Sequence, residues 1–210
     1  MTRPVVARPV VARPVVDFLF DVGSPATYLA WARLPAIAAR TGAEIRWRPI
    51  LLGAVFQATG NTSPAAVKAK GRYLMADLTR FAEKAGTPFR FNPHFPINTL
   101  TMQRGAAAAL ADGRIEAYLA AIFPALWADG RDMGNREVLG AVLEAAGFDA
   151  AALIAACATP EVKDRLKAET EEAVARGVFG APSFFVGDTL YFGQDRLDFV
   201  EEALARQAAV

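Results

Sequence analysis

Ser24 stands between Gly23 and Pro25, directly after the apolar run Val15-Val16-Asp17-Phe18-Leu19-Phe20. A serine before a proline at the start of a helix is an N-cap, with the ring at the first helical position where no N–H is needed. The same geometry has a second use. A helix N-terminus carries about half a positive charge and unpaired N–H groups, so it stabilises an anion, and a serine hydroxyl there can donate to a thiolate or oxyanion. Cap and anion site both fit these residues. A serine nucleophile does not: Asp21-Val22-Gly23-Ser24-Pro25 is no G-x-S-x-G elbow, and a triad would have to recruit His94, the only histidine.

Two further constellations could carry chemistry. Ala181-Pro182 lies between Gly180 and a β-rich run. A trans loop is the ordinary state of such a bond, whereas a cis bond would open the Ala181 N–H and C=O to an extended, peptide-like ligand. In Phe192-Gly193-Gln194-Asp195-Arg196, a glycine joins a strand to a helix and Asp195 falls at the helix start. That is either a cap or a set of amide donors beside a carboxylate suited to an α-amino group. His94 sits between prolines on a loop and reads as solvated. Cys157, in an alanine-rich helix, reads as buried and inert.

These residues have to be positioned by a small set of elements. Residues 15–20 read as a strand buried on both faces, followed by a helix from Ser24-Pro25 to about Arg40 and a second strand, Glu44 to Arg48, alternating at period two and stopped by Pro49. That is a βαβ unit, expected right-handed and parallel. Helical patterns follow over 65–85, 98–112, 114–128, 135–146 and 160–176, punctuated by proline-rich loops. Ser183–Val186, the turn Gly187-Asp188 and Thr189–Phe192 read as a hairpin, and helix returns from Asp195. The fold class is therefore α/β: one sheet domain from 15–60 and 177–210, interrupted by an all-α insertion at 61–176, with 1–14 as a flexible or edge-lying extension. That extension repeats ARPVV, with arginines at Arg3, Arg8 and Arg13, and its prolines block both helix and ladder.

Composition narrows the classes. The chain has 210 residues, 53% hydrophobic, enough for a substantial core, and a single cysteine, so a disulfide scaffold is excluded. Its net charge of +1 gives no field for nucleic acid or a membrane surface. No metal site of several histidines can be built, and no P-loop or G-x-G-x-x-G is present. No apolar run spans a bilayer or makes a signal-peptide core, so a cytoplasmic location in a reducing compartment is expected, and the sequon Asn61-Thr62-Ser63 is no sign of glycosylation.

Taken jointly, the motifs resemble a known family. The run from Asp17 through Gly23-Ser24-Pro25 to Ala30 resembles the opening of 2-hydroxychromene-2-carboxylate isomerases and kappa-class glutathione transferases, both of the DsbA-like branch of the thioredoxin fold. The segments 48–53, 60–61, 93–98, 177–182 and 192–197 extend the resemblance from about Val15 to Ala205, insertion included. It implies a thioredoxin-like fold interrupted by a large helical insertion, and glutathione as cofactor.

By the resemblance, Ser24 activates the glutathione thiolate where redox relatives carry the first cysteine of CxxC. Here Gly23-Ser24-Pro25-Ala26-Thr27 leaves no dithiol. Ala181 would pair with the cysteinyl backbone, Gln194 and Asp195 would anchor the γ-glutamyl group, Asn61 would approach the glycyl end, and Phe192 and Gly193 would line the site. Val55, Phe56, Phe95 and Asn98 are the expected substrate contacts. Ala26, Ala181 and Gln194 depart from the aromatic, branched and asparagine residues common in the family. The implied activity is a glutathione-dependent cis–trans isomerisation of a small aromatic electrophile, 2-hydroxychromene-2-carboxylate to trans-o-hydroxybenzylidenepyruvate, in aromatic catabolism. The alternatives are a kappa-type transferase or peroxidase and a non-catalytic, peptide-binding thioredoxin module. A homodimer without nucleic-acid or membrane partners is the family expectation.

Overall fold

The computed structural model describes residues 13–208. Most of the ARPVV extension lies outside the described residues, but its last unit does not. Arg13 donates to the carbonyls of Gly42 and Ala43 at 2.9 and 3.0 Å, and Pro14 accepts from the Glu44 amide at 2.8 Å. β1 (Val15–Phe20) is thereby aligned beside β2 (Glu44–Pro49), parallel, with Val15 opposite Glu44 and Phe20 opposite Pro49. On its other side β1 runs antiparallel to β3 (Ser183–Val186), which turns through Gly187 into β4 (Thr189–Phe192). The order β2-β1-β3-β4 is a mixed four-stranded sheet. Gly187 has φ 60°, the conformation a two-residue hairpin needs at its first position.

Helix α1 (Pro25–Thr41) is the βαβ crossover, capped by Ser24 and ended by Gly42 with φ 68°. The helical block contains α2 (Leu52–Thr59), α3 (Lys68–Ala85), α4 (Leu100–Ala111), α5 (Ile115–Trp127), α6 (Arg136–Ala145), α7 (Ala150–Ala156) and α8 (Pro160–Ala175), and α9 (Leu197–Ala208) closes the chain. α2 has no counterpart in the sequence reading. It is two turns long and no side chain caps it, so periodicity has little to register. α3 begins three residues later than its pattern, after a separate turn at Pro64–Ala66.

The sheet is covered on both faces, as its apolar strands require. On one face Phe18 stacks with Phe184 at 5.3 Å and Phe20 at 5.6 Å, within a cluster that also holds Leu34 of α1, Met102 of α4 and Trp127 of α5. On the other, Leu19, Ile50, Val55, Ala173, Val178 and Phe185 form a smaller core under α2 and α8. Arg48 of β2 adds ion pairs to Glu169 and Glu172 of α8. α4 comes close to α5 because Gly105 leaves room: a Cβ there would lie 2.4 Å from the Tyr118 hydroxyl, which donates to the Met102 carbonyl at 2.7 Å.

One buried amide joins the two layers. Gln103, 0% exposed, donates to the Phe20 and Ile50 carbonyls at 2.9 and 2.7 Å and accepts from the Val22 amide at 3.1 Å. Gln103→Leu keeps the bulk but strands the Ile50 carbonyl and the Val22 amide in the core. A loss of about 3 kcal/mol is expected, a Tm drop of roughly 6–12 °C in a thermal melt. A drop within about 1 °C would show these bonds to be dispensable.

Candidate active site

The loop after β1 is pinned by its own carboxylate. Asp21, 2% exposed, accepts from the Gly23 amide (2.9 Å) and the Thr99 hydroxyl (3.1 Å) on Oδ1, and from the Leu52 amide (2.9 Å) on Oδ2. The Val22 carbonyl takes the Trp127 indole N–H at 2.8 Å. Gly23 is required for this closeness, because a Cβ would fall 2.6 Å from the Thr99 methyl group. The loop delivers Ser24, 7% exposed, to the N-terminus of α1.

Ser24 is a working cap: Oγ accepts from the Thr27 amide at 3.2 Å. Its own proton goes to the Ala181 carbonyl at 3.1 Å, across 157 residues of sequence. The hydroxyl that the sequence offers to an anion is thus engaged until it rotates. Pro25 has no N–H, so Ala26 supplies the first-turn amide that lacks a protein acceptor among the described residues. Thr27, where a CxxC protein has its second cysteine, is fully buried and its hydroxyl has no hydrogen-bond partner among the described residues. The Ala181-Pro182 bond is cis, and Phe95-Pro96 is a second cis bond that the sequence reading does not include.

Around Ser24 opens a cavity of about 1720 Å³. Ala181, Asn61, Phe192, Gly193, Gln194 and Asp195 line it together with Ser24, as do Phe56, Phe95 and Asn98 of the expected substrate contacts. Val55 does not: it is 0% exposed in the smaller core, on the inner side of α2, while Phe56 faces the cavity. A helix periodicity would have separated the two, had α2 been legible. Asn61 is engaged with protein, its Nδ2 donating to the Phe179 carbonyl at 2.8 Å. Phe179 and Phe192 pack with centroids 4.6 Å apart at the rim, over Gly180, where a Cβ would lie 2.6 Å from the Phe192 ring.

Gly193, with φ 102°, turns the chain so that Asp195 folds back over it; a Cβ would lie 2.5 Å from Asp195 Oδ1. Gln194 is buried and Asp195 is exposed, its Oδ2 accepting from Arg196 at 2.6 Å. Lys68 and Arg72 of α3 add positive charge to the lining, and sequence reasoning missed both, because a lysine and an arginine one turn apart read as a solvated face. Asp21 was missed as well; its signal is an acid immediately after a strand buried on both faces. His94 and Cys157 lie apart from the cavity. His94 is exposed with Nδ1 3.9 Å from Asp132, and the Cys157 thiol is buried against the Leu153 carbonyl, its pKa raised by that burial. Among the described residues no cluster of side chains could hold a metal ion, and no helix is long and apolar enough to cross a membrane.

Burial holds the Asp21 carboxyl above its ordinary value of 3.8, against the opposing effect of its three donors. The native state therefore binds this proton more tightly than the unfolded chain, so the stability linked to it is complete below pH 3.8 and is lost as pH rises through the native pKa. Unfolding of the wild type and Asp21→Asn by denaturant, from about pH 4 to pH 7, should show the wild type's margin over the variant shrinking with rising pH. A margin that grows with pH would mean that the three donors outweigh burial.

The sequence matches the DSBA-like thioredoxin domain over residues 15–205. It is 37% identical to the 2-hydroxychromene-2-carboxylate isomerase of Sphingobium xenophagum over 90% of this chain and 97% of that protein. It is 26% identical to human glutathione S-transferase kappa 1 over 91% of each chain. A solved structure of a 2-hydroxychromene-2-carboxylate isomerase superposes with a TM-score of 0.84 at 34% identity, covering 91% of this chain and 95% of that one. The chain belongs to the DSBA-like thioredoxin family and, within it, to the group of the 2-hydroxychromene-2-carboxylate isomerases.

Proposed function

We propose that this member of the family is a glutathione-dependent isomerase that interconverts 2-hydroxychromene-2-carboxylate and trans-o-hydroxybenzylidenepyruvate in aromatic catabolism. The observation that carries the reading is Ser24 itself. A hydroxyl and an amide without a protein acceptor among the described residues, that of Ala26, share one helix N-terminus at the wall of a cavity large enough for a tripeptide and an aromatic acid. The residues present fit glutathione: a peptide-like edge at Ala181, an open amide at Gln194 and a carboxylate at Asp195 all face the same space.

Bound there, glutathione would supply a thiolate nucleophile for reversible conjugate addition, the chemistry by which a conjugated double bond can change its geometry. The chain's own residues make that thiol acidic. Ser24 Oγ–H turns from the Ala181 carbonyl toward the sulfur, and the Ala26 N–H and the positive end of α1 add to the stabilisation. The same rotation releases the Ala181 carbonyl to accept the cysteinyl N–H, so one exchange satisfies both groups. Thr27 replaces a second cysteine, which leaves no partner for disulfide exchange at this helix. Phe56, Phe95 and the Phe179–Phe192 pair give the aromatic substrate apolar walls, and Lys68 and Arg72 oppose its carboxylate.

The test is spectrophotometric isomerisation of the chromene carboxylate with glutathione supplied and withheld, beside Ser24→Ala. Removing one preorganised donor is expected to lower kcat/KM by about 10²-fold and to move the acid limb of the pH profile upward. Turnover that is indifferent to glutathione or to Ser24 would overturn the proposal. Conjugation of a chromogenic electrophile without isomerisation would establish the transferase reading in its place.

A further inference from the structure

Arg33 of α1 lies behind the cavity wall and touches none of the reacting groups. Its Nη1 donates to both the backbone carbonyl and the side-chain Oε1 of Gln194, at 3.1 and 3.3 Å, and its Nη2 reaches Asp198 at 3.4 Å. A guanidinium has donors only, so the end of the Gln194 amide that meets it has to be the oxygen. The nitrogen is thereby turned the other way. Gln194 is 5% exposed and lines the cavity, and its Nε2 has no acceptor among the described residues. An amide so deeply placed would otherwise be free to present either end. Asp195 follows directly, with Oδ2 held by Arg196 and Oδ1 folded over Gly193.

We propose that Arg33 is a positioning residue that fixes the Gln194 amide with its N–H donors toward the cavity. The pair Gln194 and Asp195 then matches a zwitterion: two amide donors for the α-carboxylate of a γ-glutamyl group, a carboxylate for its α-ammonium. The inference rests on glutathione being the bound thiol. Without Arg33 the amide turns over, and in that orientation its oxygen faces the carboxylate, an opposition of two acceptors. The residue therefore sets which tripeptide is accepted, acting through Gln194 and not on the sulfur.

The experiment is calorimetric titration with glutathione and with 4-aminobutyryl-cysteinylglycine, which is glutathione without the α-carboxylate. Wild type should prefer glutathione. In Arg33→Met the glutathione Kd should rise about tenfold or more, as loss of a hydrogen bond to a charged group implies, while the Kd for the analogue stays unchanged. Gln194→Glu keeps both Arg33 contacts but puts oxygen at both ends of the side chain. It should bind the analogue more tightly than glutathione, and it decides the matter should Arg33→Met fail to fold. Equal effects on the two ligands, or none, would overturn the role of Arg33. A wild type that binds neither ligand would overturn the glutathione reading itself, and this inference with it.

Discussion

A carboxylate buried at the end of a central strand must be satisfied by whatever surrounds it, and at Asp21 that requirement organises the molecule. Its acceptors are met from three directions: by its own loop through Gly23, by the start of α2 through Leu52, and by the segment before α4 through Thr99. Gln103 repeats the arrangement one layer deeper, with both of its amide donors and its oxygen engaged by backbone. An unsatisfied polar group at either place would be strongly unfavourable, so each is a geometric constraint as much as a bond. The loop that carries Ser24 has, in consequence, little freedom.

The second half of the site depends on strand pairing. Leu19 of β1 faces Ser183 of β3, and this register sets the Ala181 carbonyl beside the serine hydroxyl. β4 then returns to the same edge, where the Gly193 amide donates to the Pro182 carbonyl at 3.0 Å and the chain folds back through Asp195. The helical block contributes walls. Thus the Ser24 and Ala181 end of the cavity is built on the sheet and the rest of its lining on helices, which reach the capped serine's loop through Leu52 and Thr99.

Much of this arrangement is legible in the sequence, for physical reasons that differ by element. The buried strand Val15–Phe20 and the capped helix at Ser24-Pro25 are announced by local chemistry, which is why their place and roles can be read directly. The hairpin is fixed by Gly187 in the same way. α2 is hidden because two uncapped turns carry no period, and the error propagates: with no helix to separate its faces, Val55 and Phe56 look equivalent, though one is core and the other lines the cavity. The engagement of the Ser24 hydroxyl with Ala181 is not local at all, and neither is the contact of Arg33 with Gln194, which spans 161 residues. Side chains that act through partners so distant leave no spacing to read.

That separation also has a meaning in time. β1 is central to the sheet, yet its antiparallel neighbour is encoded near the other end of the chain, with Asp17 paired to Phe185. On a ribosome adding about 5–20 residues per second, β1 waits roughly 10–30 s before that neighbour is made. Through that interval one long apolar edge has no strand beside it, a condition that invites association between nascent chains. The helices made meanwhile carry Phe123 and Trp127, which in the finished fold cover the aromatic face of β1, whereas its open edge has to wait for β3.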